Sequence, residues 1–76
     1  MNPASFSALA EPNRFQIVEL LRNNPQPVGE IANRLRIRQP QASKHLKVLA
    51  DVGIVEMRPL ANQHIYELSP KKFQEI

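Results

Sequence analysis

No cysteine occurs in the 76 residues. Disulfides, thiolate metal sites and thiol catalysis are therefore excluded, and a reducing cytosol suits the chain. No apolar run approaches the ~18 residues of a transmembrane helix. The first residues lack the basic and apolar regions of a secretory signal. The expectation is a soluble cytoplasmic protein with no membrane partner. There is no low-complexity tract and no internal repeat. Signatures of enzymes are missing as well: no Gly-rich phosphate loop, no metal-ligand cluster, and no nucleophile with a base at motif spacing. Ser43 and His45 are close in sequence, but residues two apart on a helix point in different directions. Glu11, Glu19 and Glu30 read as helix-surface or first-turn charges. No catalytic residue, no cofactor and no metal site is expected.

What is present is a local excess of positive charge. The formal charge is +3, yet segment 31–50 alone carries +5 and the remainder sums to −2. Five Lys or Arg and no acid lie between Glu30 and Asp51. Localised basicity is the electrostatic footprint expected for a polyanion. A solvated helical surface would give the same balance, so charge alone does not decide.

The seven prolines fall where elements should begin or end. Pro3 precedes a short first helix over Ala4 to Ala10. Pro12 fits the first turn of a second helix running to about Asn23, with Phe15, Ile17, Val18, Leu20 and Leu21 as its apolar face. Residues 23–27 make a loop, and Val28 is placed for a short extended pairing. A third helix spans Gly29 to Leu35, with Ile31, Ala32 and Leu35 inward. Arg36-Ile37-Arg38 is a turn anchored by Ile37. Pro40 opens a fourth helix over Gln39 to Val52, capped by Gly53. Ile54 to Arg58 and His64 to Leu68 alternate as two strands, with a loop from Pro59 to Gln63. Pro70 begins a last helical turn, with Phe73 and Ile76 as docking residues.

Advancing the fourth helix by about 100° per residue separates two faces. Ala42, Leu46, Leu49 and Ala50 gather on one side. Pro40, Gln41, Ser43, Lys44 and Lys47 gather on the other. The third and fourth helices are joined by three residues, which is helix-turn-helix spacing, and a hairpin directly after them makes a winged version. The fold class is thus mainly α with a small β-hairpin, one winged helix-turn-helix domain over residues 1–76.

That arrangement assigns roles. The first turns of a second helix in such a motif reach base edges. Gln39 and Gln41 offer the donor and acceptor that match adenine in the major groove. Ser43 can bond a base or a phosphate, and Pro40 offers apolar contact. Lys44 and Lys47 suit guanine or phosphate. Arg36 and Arg38, on the turn, are placed to clamp the backbone. Arg58 is the best cation of the wing, and Gln63 and Asn62 can reach sugar or the minor groove. His64 faces solvent or phosphate. His45 sits at the edge of the apolar face, where a satisfied boundary histidine is expected rather than a metal ligand.

Ala8-Leu9-Ala10-Glu11-Pro12-Asn13-Arg14-Phe15-Gln16-Ile17-Val18-Glu19-Leu20-Leu21 resembles the opening helices of the ArsR/SmtB-type winged-helix repressors. Val28-Gly29-Glu30-Ile31-Ala32 resembles their third helix. The run from Gln39 to Leu49, followed by Gly53-Ile54-Val55, is similar to their DNA-reading helix and wing entry. Tyr66-Glu67-Leu68 resembles the end of the returning wing strand. The resemblance covers roughly residues 5 to 70 and places Gln39, Pro40, Gln41, Ser43 and Lys44 at the family's DNA-reading positions. It implies a repressor that occupies a near-palindromic operator in double-stranded DNA as a homodimer.

Two departures from the family pattern stand out. Metal-sensing members carry a Cys-containing motif on the third helix, where this chain has Glu30-Ile31-Ala32-Asn33-Arg34-Leu35. Others bind metal through a long C-terminal helix that also builds the dimer, and the sequence stops at Ile76, where that helix would begin. The first helix, around Phe6 and Leu9, remains available for pairing. The effector is not identified. The alternative reading is a winged-helix protein-interaction module that does not bind DNA.

Overall fold

A computed structural model describes residues 3–70. The order is α1 (Pro3–Leu9), α2 (Pro12–Leu21), β1 (Gln26–Pro27), α3 (Val28–Leu35), α4 (Gln39–Asp51), β2 (Val55–Leu60) and β3 (Gln63–Leu68). The three strands form one antiparallel sheet in the order β1-β3-β2. The expected last turn, with Phe73 and Ile76, lies outside the described residues.

Three helix ends have a clear local cause. Glu11 caps α2, its carboxylate accepting from the Arg14 N–H at 2.9 Å, and Pro12 follows where a missing N–H costs nothing. The end of α4 is a Schellman motif. Gly53 takes φ 80° and donates to Ala50, while Ile54 donates to Leu49 at 2.9 Å. The same geometry closes α3, but Arg36 occupies the left-handed position at φ 58°, ψ 42°. A side chain there costs about 1–2 kcal/mol relative to the right-handed region.

The core lies between the helices and the base of the sheet. Ile17, Ile31, Leu46, Leu49 and Ile54 are completely buried, joined by Ala8, Val18, Leu21 and Val55. Complete burial of one such aliphatic side chain contributes about 1.5–3 kcal/mol. Leu20, Leu35, Tyr66 and Leu68 cover the edges. Two expected inward residues face outward instead. Phe15 is 52% exposed, because the buried stripe of α2 is the narrower one of Ile17, Val18 and Leu21. Ala50 is exposed beyond the stripe of Ala42, Leu46 and Leu49.

The sheet departs from expectation in two places. The short pairing strand is Gln26–Pro27, opposite Tyr66 and Ile65, and Val28 opens α3. A residue before proline is biased to extended backbone, which favours pairing at Gln26 over Val28. The hairpin loop is also shorter than expected. Pro59 pairs with His64 and Leu60 with Gln63, leaving only Ala61 and Asn62 to turn. Proline is tolerated because β2 is an edge strand. Ala61 takes φ 55° to make the tight turn.

Candidate nucleic-acid interface

Burial of Ala42, Leu46 and Leu49 fixes which side of α4 meets solvent. Pro40, Gln41, Ser43, Lys44 and Lys47 are all exposed on it. Arg36, Arg38 and Gln39 are exposed just before them. The helix-turn-helix thus brings eight of the ten expected DNA-binding residues together on or beside one turn and helix face. No side chain caps α4 at Arg38, so first-turn N–H groups remain available to an anion.

The cations differ in how they are engaged. Lys47 lies 3.5 Å from Asp51 one turn on, with both side chains well exposed. Such a pair is worth about 0.3–0.5 kcal/mol and yields readily to a phosphate. Arg34 pairs with Glu30 at 3.0 Å. Arg36, Arg38 and Lys44 form no ion pair among the described residues. Those three cations surround the start of α4.

The wing contributes little free positive charge, in keeping with its weakly basic sequence. Arg58 is held 3.4 Å from Glu67, and Glu67 stands directly opposite Glu56. One cation therefore faces two carboxylates along the stem of the hairpin. The tip carries no Lys or Arg: Leu60 is exposed there beside Ala61, Asn62 and Gln63. Gln63, expected in a loop, opens β3 instead.

An open groove of about 540 Å³ separates the wing from the helices. Gly29, Glu30 and Gln39 line one side, and Asn62, Gln63 and His64 the other. Gln39 leans over the first turn of α3: its Oε1 lies 3.8 Å from where a Cβ on Gly29 would stand. Gln39 and Gln63 therefore share the groove, while Gln41 stands on the outer face of α4.

Residues 9–58 match a family model described as a helix-turn-helix domain. The chain is 41% identical over 66 residues to the HTH-type transcriptional regulator Rv2034 of Mycobacterium tuberculosis, covering 87% of this chain and 62% of that one. It is 37% identical over 69 residues to the HTH-type transcriptional repressor SmtB of the same species, covering 91% and 51%. The homodimeric winged helix-turn-helix DNA-binding domain of a possible ArsR-family regulator from Mycobacterium bovis superposes with a TM-score of 0.87 at 28% identity, covering 95% of this chain and 67% of that one. The chain belongs to the ArsR/SmtB-type winged helix-turn-helix regulators. It spans about half to three-fifths of the length of these curated relatives.

Within this ArsR/SmtB-type chain, no group of three or more His, Cys, Asp or Glu among the described residues is placed to hold a metal. No described helix is long and apolar enough to cross a membrane. His45 is the satisfied boundary histidine expected: its side chain is 15% exposed, with Nδ1 3.6 Å from Glu11 Oε2 and 3.4 Å from the Arg14 guanidinium.

The partners of His45 are not legible in the sequence. The sequence marks Glu11 only as a helix-surface or first-turn charge and does not single out Arg14. Arg14 Nε donates to the Ala8 carbonyl at 2.7 Å while its other end reaches His45. The available signal was Glu11-Pro12 at a helix start, which places Arg14 within reach of the cap. The 31-residue separation from His45 hid the rest.

Proposed function

We propose that this chain is the DNA-binding part of a cytoplasmic transcriptional repressor that occupies a near-palindromic operator as a homodimer. One observation carries the reading: α4 is anchored by a buried apolar stripe and presents an exposed amide and cationic face, with Arg36, Arg38 and Lys44 in no ion pair among the described residues. In the bound state Gln41 and Lys44 meet base edges in the major groove, with Pro40 in apolar contact and Ser43 on base or phosphate. Gln39 and Gln63 enter from the groove between helix and wing. Arg36, Arg38 and Lys47 neutralise phosphates, and Arg58 adds a weaker contact from the wing.

Two copies would set their α4 helices in successive major grooves, about 34 Å apart. Phe6 and Phe15, 63% and 52% exposed on α1 and α2, supply apolar surface for a second copy. The M. bovis relative is described as homodimeric, and SmtB is named a repressor. Both names support the reading.

A fluorescence-anisotropy titration of the chain against a randomised duplex pool, repeated across a salt series, tests it. Affinity is expected to fall linearly on logarithmic axes, with a slope set by the phosphates neutralised. Absent or salt-insensitive binding would instead favour a protein-interaction module using the same apolar surface.

A further inference from the structure

The DNA-reading helix is held from beneath and contacted on its flank. Ala42, Leu46 and Leu49 form the stripe below. On one flank the Gln39 amide lies near the first turn of α3, 3.8 Å from where a Cβ on Gly29 would stand. On the other, position 45 follows Gln41 by one helical turn, and His45 meets Arg14 and Glu11. The Arg14 side chain also reaches the Ala8 carbonyl, and its backbone N–H reaches Glu11. A single arginine therefore ties the end of α1 and the start of α2 to the middle of α4.

The directional character of this knot distinguishes it from the apolar stripe. The close-packed stripe fixes the roll of α4 to within the slack of its side chains, because even a small gap forfeits dispersion contacts. Hydrogen bonds add a directional constraint on top of it. A roll of about 20° moves side-chain tips on a helix of ~5–6 Å outer radius by about 2 Å. Acceptable hydrogen-bond distances span only about 0.5 Å, and the Arg14–His45 contact, at 3.4 Å, is already at the long limit and has little slack. Base reading by Gln41 and Lys44 would be lost by such a roll. Phosphate contacts from Arg36 and Arg38, on the preceding turn, would survive it.

We propose that Glu11, Arg14 and His45 act as positioning residues that set the roll of α4, and so control DNA sequence preference more than DNA affinity. This inference rests on the DNA-reading role proposed above. His45 Nδ1 accepts from the Arg14 guanidinium at 3.4 Å, while the Glu11 carboxylate, 3.6 Å away, adds a long electrostatic contact rather than a second hydrogen bond. An asparagine at the same place offers an Oδ1 acceptor to Arg14.

The test uses duplexes enriched from a randomised pool by the unsubstituted chain, alongside random duplexes of equal length. Anisotropy titrations compare Arg14→Ala, His45→Ala, His45→Asn and Glu11→Ser. Serine retains a capping oxygen for α2 but withdraws the carboxylate from His45. Arg14→Ala, His45→Ala and Glu11→Ser are expected to lower the preference for enriched DNA by about tenfold, the scale of one good base contact. Affinity for random DNA should stay within about twofold, as expected when phosphate contacts are kept. His45→Asn should recover most of the preference, and Glu11→Ser should shift the amide resonances of Gln41 and Lys44. If His45→Ala fails to fold by circular dichroism, Glu11→Ser and His45→Asn carry the comparison. Unchanged preference in folded variants, or equal losses on both DNAs, overturns the positioning role. A wild-type chain that enriches no sequence overturns the DNA-reading role itself, which is a separate and recognisable failure.

Discussion

Across the wing, the Arg58 guanidinium lies 3.4 Å from the Glu67 carboxylate, and Glu67 stands opposite Glu56. Approaching phosphates meet this stem as net negative. Glu67→Gln is therefore expected to tighten DNA binding by up to about fivefold at low salt, the equivalent of one exposed ion pair released. The salt slope should steepen by about one counterion. Arg58→Ala should weaken binding less than Arg38→Ala does. Anisotropy titrations at several salt concentrations read both. A larger loss at Arg58 would show that the wing dominates.

Arg36 occupies a backbone position that glycine would fill without strain. Arg36→Gly relieves about 1–2 kcal/mol of left-handed strain, offset by about 0.4–1 kcal/mol of added freedom in the unfolded chain. The net expectation is a gain of about 0.5–1 kcal/mol in urea unfolding, with a DNA salt slope lowered by about one. A destabilised variant with unchanged DNA binding would contradict both halves of this argument.

Leu46 is completely buried at the centre of the helical core. Leu46→Ala should cost about 2–5 kcal/mol by lost transfer energy and the cavity left behind. Phe15, by contrast, is half in solvent, and Phe15→Ala should change unfolding of the monomer by under about 1 kcal/mol. Chemical denaturation of the two variants separates them. Equal costs would place Phe15 in the core.

The apolar surface of α1 and α2 bears on assembly. Phe6→Glu should leave the helical content of the chain intact and shift sedimentation from dimer to monomer. It should also reduce binding to a palindromic duplex far more than to a single half-site, because linked sites gain effective concentration. A dimer that persists in Phe6→Glu would locate the interface elsewhere.

Features governed by local chemistry were legible in the sequence. The two faces of α4, the Gly53 cap, the three-residue turn and the existence of a hairpin all follow from periodicity and punctuation. Features that depend on partners distant in the chain were not. Pro59 reads as a strand breaker until β2 is known to be an edge strand. Gln26 becomes a strand only because Tyr66 is there to pair with it. Arg58 reads as a free cation until the register sets Glu67 diagonally across from it. The outward turn of Phe15 depends on how narrow a stripe α2 buries, which periodicity alone does not specify. The Glu11–Arg14–His45 knot lay furthest from view, because its members come from opposite ends of the helical segment.

The central claim is that the outer face of α4 reads DNA sequence. Gln41→Ala tests it most directly, titrated by anisotropy against enriched duplex, against variants of that duplex changed at single base pairs, and against random duplex. Discrimination is expected to relax at one or two base pairs, by about 1–3 kcal/mol, while random-DNA affinity is preserved. Lys47→Ala, run in parallel, should weaken binding to every duplex alike. Equal losses on enriched and random DNA for Gln41→Ala would contradict the claim.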